Sequence, residues 1–494
     1  MEILKKRLKK KDLKTFRKNH KKNKIGLCHG SFDILHYGHI LHLKESKKNV
    51  DILILSVTAD KYIKKGPNNP FNNQELRARY LEELSFVDFV YIDENFTAKE
   101  VIKELQPNLY FKGKDYLAQD ITGNLDLEIN QLKKNKGRLF ITETELLSST
   151  KIINHLFFND KKYQDFLNKI DFKVLKENIN KIFKLLENKE INIIGEPIID
   201  NYTFCKVVGI TSKDPAISTI QENNKNIPGG VLAMAKIASN FCKKINLYSY
   251  GEDQYIKKYF KNVSNIKFIN LSKNSPIQTK TRYINSNRYE KLLQVSNFSK
   301  NIFSLKQRSF IQKKILKIKK NLIICDFGNS LFLGETLKCV NNLKINKYIN
   351  VQSNSLNSGY NLFTKYKNMK YLSLDEKEWK LGLGSDEIDI SKIKSFLGKN
   401  VDISITKGKN GSSLIDKKNN HFSSPVFVNK VIDTTGCGDA YFIITSLLLM
   451  FGFETKYIPF MGNIYAGMHS QFLGNSKIVD KMSYYKYLNS VLKK

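Results

Sequence analysis

The chain has 494 residues, 41% of them hydrophobic, and its 82 basic against 47 acidic side chains give a formal charge of +35. That length exceeds one ordinary core and implies two or three domains, while the hydrophobic share excludes a disordered chain. The charge invites nucleic-acid binding, but only eight of the basic residues are arginine, the lysines are spread among asparagines and isoleucines, and no recognition motif accompanies them. It reads as solvated surface suited to anionic small substrates, with no nucleic-acid partner.

Cys28, Cys205, Cys242, Cys325, Cys339 and Cys437 form no Cys-x-x-Cys pair, and the chain opens Met-Glu-Ile-Leu-Lys rather than with a signal peptide. Reduced thiols and a cytoplasmic location are the expectation. The longest apolar run, Tyr441 to Phe453, is interrupted by Thr445, Ser446 and Gly452. It falls short of the roughly 20 residues a membrane span needs and reads as a buried core helix, with no membrane partner.

Residues 1–24 are lysine-dense, with Leu4, Leu8, Leu13 and Phe16 at helical spacing, and predict an amphipathic lead-in helix. Short β-type runs then alternate with helical segments: Ile25 to Cys28, Ile52 to Val57, Phe89 to Ile92, Leu109 to Lys112 and Leu139 to Ile141. Alternation of this kind implies a parallel, doubly wound, Rossmann-like sheet, whose ligands bind beyond the carboxyl ends of its strands. Directly after the first run stands Gly30-Ser31-Phe32-Asp33-Ile34-Leu35-His36-Tyr37-Gly38-His39. A glycine turn and two histidines three apart at the start of a helix place imidazoles and backbone N–H groups where a phosphate chain can sit. Spacing alone leaves a metal pair or two surface histidines open.

Gly-x-Phe-Asp-x-x-His-x-Gly-His resembles the signature of the cytidylyltransferase-like nucleotidyltransferases, and the resemblance extends to about residue 156. It implies that His36 and His39 stabilise the α-phosphate as pyrophosphate leaves, with Gly30, Phe32 and Asp33 at the nucleotide. It also implies a flexible basic loop with Lys64 and Lys65, followed by Arg77 at the start of the next helix. Lys112, Gly113 and Asp115 of a Lys-Gly-x-Asp-Tyr turn would lie near base and ribose. Ser149 and Thr150 of Ser-Ser-Thr-x-Ile would hold the β and γ phosphates, and both also read as a helix N-cap.

Charged helical sequence over 157–188 carries Phe166, Ile170, Val174, Leu175, Ile179, Ile182, Phe183 and Leu186 near helical period, and predicts a linker of one or two helices. A second α/β pattern starts at Ile191. Its most specific stretch is Asp433-Thr434-Thr435-Gly436-Cys437-Gly438-Asp439, just before the apolar helix. Glycines ahead of a helix expose successive N–H groups to a transferring phosphoryl group, and Asp439 is placed to take a proton from an attacking hydroxyl.

Asp-Thr-x-Gly-x-Gly-Asp resembles the signature of the PfkB, or ribokinase-like, carbohydrate kinases, from about residue 189 to 494. The resemblance implies a ribokinase-like α/β kinase fold, with Thr435, Gly436 and Gly438 at the phosphates and Lys407, Gly408 and Gly411 in a loop flanking ATP. It implies sugar contacts at Asp200, Gly229, Gly230, Lys280, Arg282 and Asn329. Two positions depart from the pattern: Ala233 where an asparagine is usual, and Asp326-Phe327-Gly328-Asn329-Ser330 without the usual lysine. They imply a changed acceptor or reduced activity.

The pair of domains resembles the bifunctional heptose-7-phosphate kinase/heptose-1-phosphate adenylyltransferases with the domain order reversed. The implied function is ATP-dependent phosphorylation of a heptose-like sugar phosphate, plus transfer of a nucleotidyl group, AMP favoured, to a sugar 1-phosphate. The alternative is a cytidylyltransferase using CTP, with the kinase-like domain a sugar-binding module. Small-molecule partners, ATP with Mg²⁺ held mainly through phosphates, K⁺ as a further cofactor and a homodimer complete the expectation.

Overall fold

The computed structural model describes residues 6–63, 70–113, 124–143, 160–273, 275–288, 290–297, 302–354, 357–398, 400–428 and 430–492. Lys64, Lys65, Asp115, Ser149 and Thr150 lie outside the described residues. The chain divides into two units, Met1–Asp160 with Tyr485–Lys494, and Lys161–Tyr484.

In the first unit β1 (Arg7–Leu8) precedes α1 (Lys10–Asn19), so Leu8 lies in a strand rather than in the lead-in helix. Leu13 and Phe16 of α1 are buried against Ile102 and Leu105 of α4 (Lys99–Leu105). There follow β2 (Ile25–Gly30), α2 (Tyr37–Lys48), β3 (Ile52–Thr58), α3 (Gln74–Glu82) and β4 (Phe89–Asp93). After α4 come β5 (Leu109–Gly113), α5 (Asn124–Lys134) and β6 (Arg138–Thr142). The strands pair in the order β1-β4-β3-β2-β5-β6, all parallel. Ile52 and Ile54 feed one face of the sheet while Leu53, Leu55 and Val57 feed the other, so the two-residue period of β3 supplies both cores. The order in which strands are added across the sheet reverses between β2 and β5, and ligands of open α/β sheets enter at such a switch point.

The second unit opens with α6 (Lys161–Asn168) and α7 (Phe172–Leu186), the stretch read as linker. Leu175, Ile179, Ile182, Phe183 and Leu186 are buried, whereas Val174 faces solvent. β7 (Glu190–Gly195) and β8 (Pro197–Ile210) are separated only by Glu196, yet they belong to different sheets. β9 (Ile217–Gly230), α8 (Val231–Ser239), β10 (Lys244–Ser249), α9 (Asp253–Tyr259), β11 (Ile266–Asn270), β12 (Gln278–Asn285), β13 (Lys291–Asn297) and α10 (Leu305–Ile315) follow. The chain then runs through β14 (Leu322–Asp326), α11 (Gly334–Asn342), β15 (Lys347–Val351), β16 (Tyr371–Asp375), α12 (Glu376–Leu383), α13 (Ile390–Leu397) and β17 (Asp402–Thr406). It continues with β18 (Ser412–Ile415), β19 (His421–Ser424), α14 (Cys437–Met450) and α15 (Ile458–His469), and α16 (Lys481–Val491) begins at its end.

The main sheet is ordered β11-β10-β7-β14-β15-β16-β17-β18-β19, parallel as far as β17, and a separate sheet β13-β12-β8-β9 forms a lid. Parallel pairing of β8 with β12 puts Asp200 beside Lys280 and Tyr202 beside Arg282, all on one face of the lid. Residues 440–448 of α14 are all buried, as the apolar run predicts. Within that run Thr445 Oγ1 accepts from Tyr371 Oη at 2.8 Å and donates to the helix carbonyls behind it, while the buried Ser446 hydroxyl has no partner among the described residues. Among the described residues no helix is long and apolar enough to cross a membrane.

Candidate active sites

At the switch point of the first unit His36 caps α2 in an extended conformation, and its ring stacks on that of His39 with centroids 3.9 Å apart. Both ring nitrogens of His36 are buried without a hydrogen-bond partner. Desolvation holds its pKa below the usual histidine value, which favours the neutral imidazole. Phe32 packs its ring 5.8 Å from that of His39 and takes φ of 46°, a left-handed backbone rarely adopted by an aromatic residue. Such strain collects at functional sites.

Three other residues expected at the nucleotide hold the frame. Asp33 accepts from the amides of Phe71 (2.7 Å) and Asn72 (2.8 Å), fastening the chain ahead of α3. Arg77 is fully buried, and its guanidinium donates to the carbonyls of Asn72 (3.0 Å), Ser31 and Thr58 (2.8 Å) and to Asp60 (2.6 Å). These contacts make the side chain a clasp joining the ends of β2 and β3 to the start of α3, with three bonds to backbone carbonyls and one to a carboxylate. Lys112 is likewise buried, 3.6 Å from Glu128, whose carboxylate also accepts from Tyr110 Oη and the Ala98 amide. Gly113 ends β5 opposite Thr142.

In the second unit a cleft of about 270 Å³ opens at the carboxyl ends of β14 to β17, beneath the inner face of the lid. It gathers Asp200, Gly230, Lys280, Arg282, Thr435, Gly436, Gly438 and Asp439, residues up to 239 positions apart in sequence (439 − 200). Gly436 caps α14 with φ of +82°, a conformation that favours glycine, and turns the N-terminal amides of α14 outward. Burial raises the pKa of Asp439 to about 7, against the pull of its hydrogen bond from Gln352 and of the Lys280 ammonium. Lys280, itself held below the usual lysine range by burial, has no ion-pair partner among the described residues. Arg282 pairs with Asp200, and a Cβ on Gly229 would lie 2.4 Å from Asp200 Oδ2, so only glycine admits that carboxylate.

Asp433 stands apart from the cleft. Its carboxylate accepts from Tyr202 Oη (3.0 Å) and Lys291 Nζ (2.8 Å) on the lid, from Thr435 Oγ1 (2.9 Å) and from the Gly474 amide (3.0 Å). It ties lid to phosphoryl loop. Lys407 donates its amide to the Gly411 carbonyl at 2.8 Å, closing the loop after β17, and only Thr406 of that stretch lines the cleft. Asn329 is buried, outside the cleft lining, with both side-chain amide atoms unpartnered. Its turn is fixed from beneath by Glu196, which accepts the amides of Phe327, Asn329 and Leu331 at 2.8 Å each. A lysine from elsewhere in the chain meets that turn: Lys365 Nζ lies 2.6 Å from Asp326 Oδ2. Ala233 is fully buried in α8. Among the described residues no group of three or more His, Cys, Asp or Glu could hold a metal ion.

The sequence profile of the pfkB carbohydrate kinases matches residues 193–442, just over half of the chain. The chain belongs to the pfkB family. The cytidylyltransferase-like profile matches residues 27–155, so a nucleotidyltransferase-type domain precedes the pfkB domain. Phosphofructokinase-2 from Escherichia coli shares the pfkB fold at a TM-score of 0.50 with 12% identity, covering 61% of this chain and 100% of that one. The bifunctional protein HldE of Aliarcobacter butzleri is 44% identical over 102 residues, 20% of this chain and 21% of that protein. Its namesake in Campylobacter fetus is 40% identical over 135 residues, 26% of each chain, and that of Campylobacter jejuni strain RM1221 is 35% identical over 156, 31% of each. The matches thus span a fifth to a third of the length of these relatives.

Sequence reasoning missed Gln352, Glu378 and Asn475, which line the cleft of the pfkB domain. Glu378 had a signal in the capping-box spacing Asp375-x-x-Glu378, and the two residues do exchange hydrogen bonds. Burial and the Asp375 charge raise its pKa to about 8. Gln352 and Asn475 carry none, since a lone amide after a strand or in a loop is ordinary.

Proposed function

We propose that the chain is a bifunctional enzyme of nucleotide-sugar synthesis, phosphorylating a heptose phosphate in its pfkB domain and transferring AMP from ATP to a sugar 1-phosphate in its cytidylyltransferase-like domain. The observation that carries the reading is the cleft in which Asp439, the unpaired Lys280 and the amide-bearing turn at Gly436 face one another. The choice of sugar and nucleotide follows the resemblance of the domain pair to the heptose kinase/adenylyltransferases.

In the kinase step Asp439 takes the proton of the attacking hydroxyl as its oxygen bonds to the γ-phosphorus of ATP and the bond to ADP breaks. The amides at Gly436 to Gly438 and the α14 dipole hold charge on the transferred group, Lys280 and Arg282 draw the anionic acceptor into place, and ATP enters with Mg²⁺ on its phosphates. In the transfer step an oxygen of the sugar 1-phosphate attacks the α-phosphorus and pyrophosphate departs. His36 and His39 donate to the α-phosphate oxygens; Lys64, Lys65, Ser149 and Thr150 hold the β and γ phosphates, and Asp115 the ribose. A cytoplasmic homodimer completes the proposal.

Pyrophosphate release with ATP or CTP against heptose 1-phosphate, and ADP release with heptose 7-phosphate, test it. His39→Ala should abolish the first and spare the second, and Asp439→Asn should do the reverse. Loss of both activities from either folded variant would overturn the two-site reading, and turnover with CTP alone would overturn the choice of nucleotide.

A further inference from the structure

Asp439 makes a single side-chain hydrogen bond among the described residues: Gln352 Nε2 donates to its Oδ1. Gln352 is held on both sides of its own backbone, its amide donating to the Asp326 carbonyl at 2.8 Å and its carbonyl accepting from Asn361 Nδ2 at 3.0 Å. It therefore follows β15 in a fixed position, and its amide reaches Asp439 from the sheet side. We propose that Gln352 is the positioning residue of the kinase site, engaging Oδ1 of Asp439 so that Oδ2 is the oxygen presented to the acceptor hydroxyl.

The chemistry favours an amide at this position. The groups that bear on the Asp439 carboxylate are Lys280 and Asp200 from the lid, Glu378 from α12, Cys325 from β14 and Cys437 from the first turn of α14 itself. Lys280 is the only cation among them. A second carboxylate in place of Gln352 would join Asp200 in opposing ionisation of the base, and an aliphatic residue would leave Oδ1 buried with no donor. A glutamine donates to the carboxylate at every working pH without adding charge. It also restricts rotation of the carboxylate, which otherwise offers either oxygen.

The inference rests on Asp439 being the base, and the experiment separates the two. The pH dependence of ADP release with heptose 7-phosphate is measured for the full chain and for Gln352→Leu, Gln352→Glu and Asp439→Asn, with pyrophosphate release as the control for intact protein. Gln352→Leu should lower kcat about 10- to 100-fold with the KM for ATP little changed and move the acidic limb about one pH unit upward; Gln352→Glu should move it further. If Gln352→Leu fails to fold, the Gln352→Glu comparison decides alone. A limb and kcat matching the unmodified chain in Gln352→Glu or Gln352→Leu, beside an inactive Asp439→Asn, would overturn the positioning role. Activity retained in Asp439→Asn would instead overturn the base assignment on which it stands.

Discussion

Arg77→Lys separates two tasks for one residue, contacting phosphate or clasping the fold. The side chain is fully buried, and its guanidinium reaches Ser31, Thr58 and Asn72 carbonyls together with Asp60. An ammonium keeps the charge but is a point donor, so one seated where Nη2 meets Asp60 and Thr58 leaves the Asn72 and Ser31 carbonyls, reached from Nε and Nη1, without this donor. Each buried acceptor left without a partner costs about 1–3 kcal/mol, which sums to roughly 4 kcal/mol for two. That is a large fraction of the about 5–15 kcal/mol that holds an ordinary domain together. For a unit of this size it corresponds to a fall in Tm of roughly 8–16 °C. Calorimetry of the full chain, with ADP release reporting the pfkB domain, checks it: the first unit should melt early and lose pyrophosphate release while ADP release persists. Unchanged melting with pyrophosphate release reduced 100-fold would refute the reasoning and return Arg77 to the phosphates.

Gly229→Ala places a Cβ 2.4 Å from Asp200 Oδ2 and 3.4 Å from Asn475 Nδ2, so the carboxylate must swing away from its seat. The KM for the sugar phosphate should rise about tenfold or more, a change of about 1.4 kcal/mol, with the KM for ATP little altered, as steady-state kinetics will show. Lys291→Met removes the lid's ammonium from Asp433 and Thr435. Because Lys291 is half exposed, the loss should be modest, about 0.5–1.5 kcal/mol, and is read as faster proteolytic cleavage in the β8–β9 hairpin; an unchanged cleavage rate would remove Asp433 as the anchor of the lid.

The strands of the first unit, the buried helix α14 and both glycine-bearing motifs are determined locally. Ile52 to Val57 alternates between two apolar faces, residues 440–448 admit only a buried helix, and the turn at Gly436 needs a left-handed residue ahead of an apolar run. Chain neighbours a few positions apart settle such features, so they are legible before any folding. What a side chain does at the end of its reach is another matter. Arg77 and Lys112 have the charge a phosphate requires, and only the approach of Ser31 after β2, Thr58 at the end of β3 and Glu128 of α5 engages it within the fold. The departure of β8 from the main sheet at Glu196, the seating of Lys365 on Asp326 and the hydrogen bond from Gln352 to Asp439 join residues that are 39 or more positions apart (365 − 326 for the nearest pair) or separate sheets altogether. Hydrogen bonds act over about 3 Å regardless of sequence separation, and nothing in the local pattern of either partner records the other. The chemistry available to this protein is written along its chain; which charges remain free to perform it is decided only when the lid, the turns and the strand ends come together.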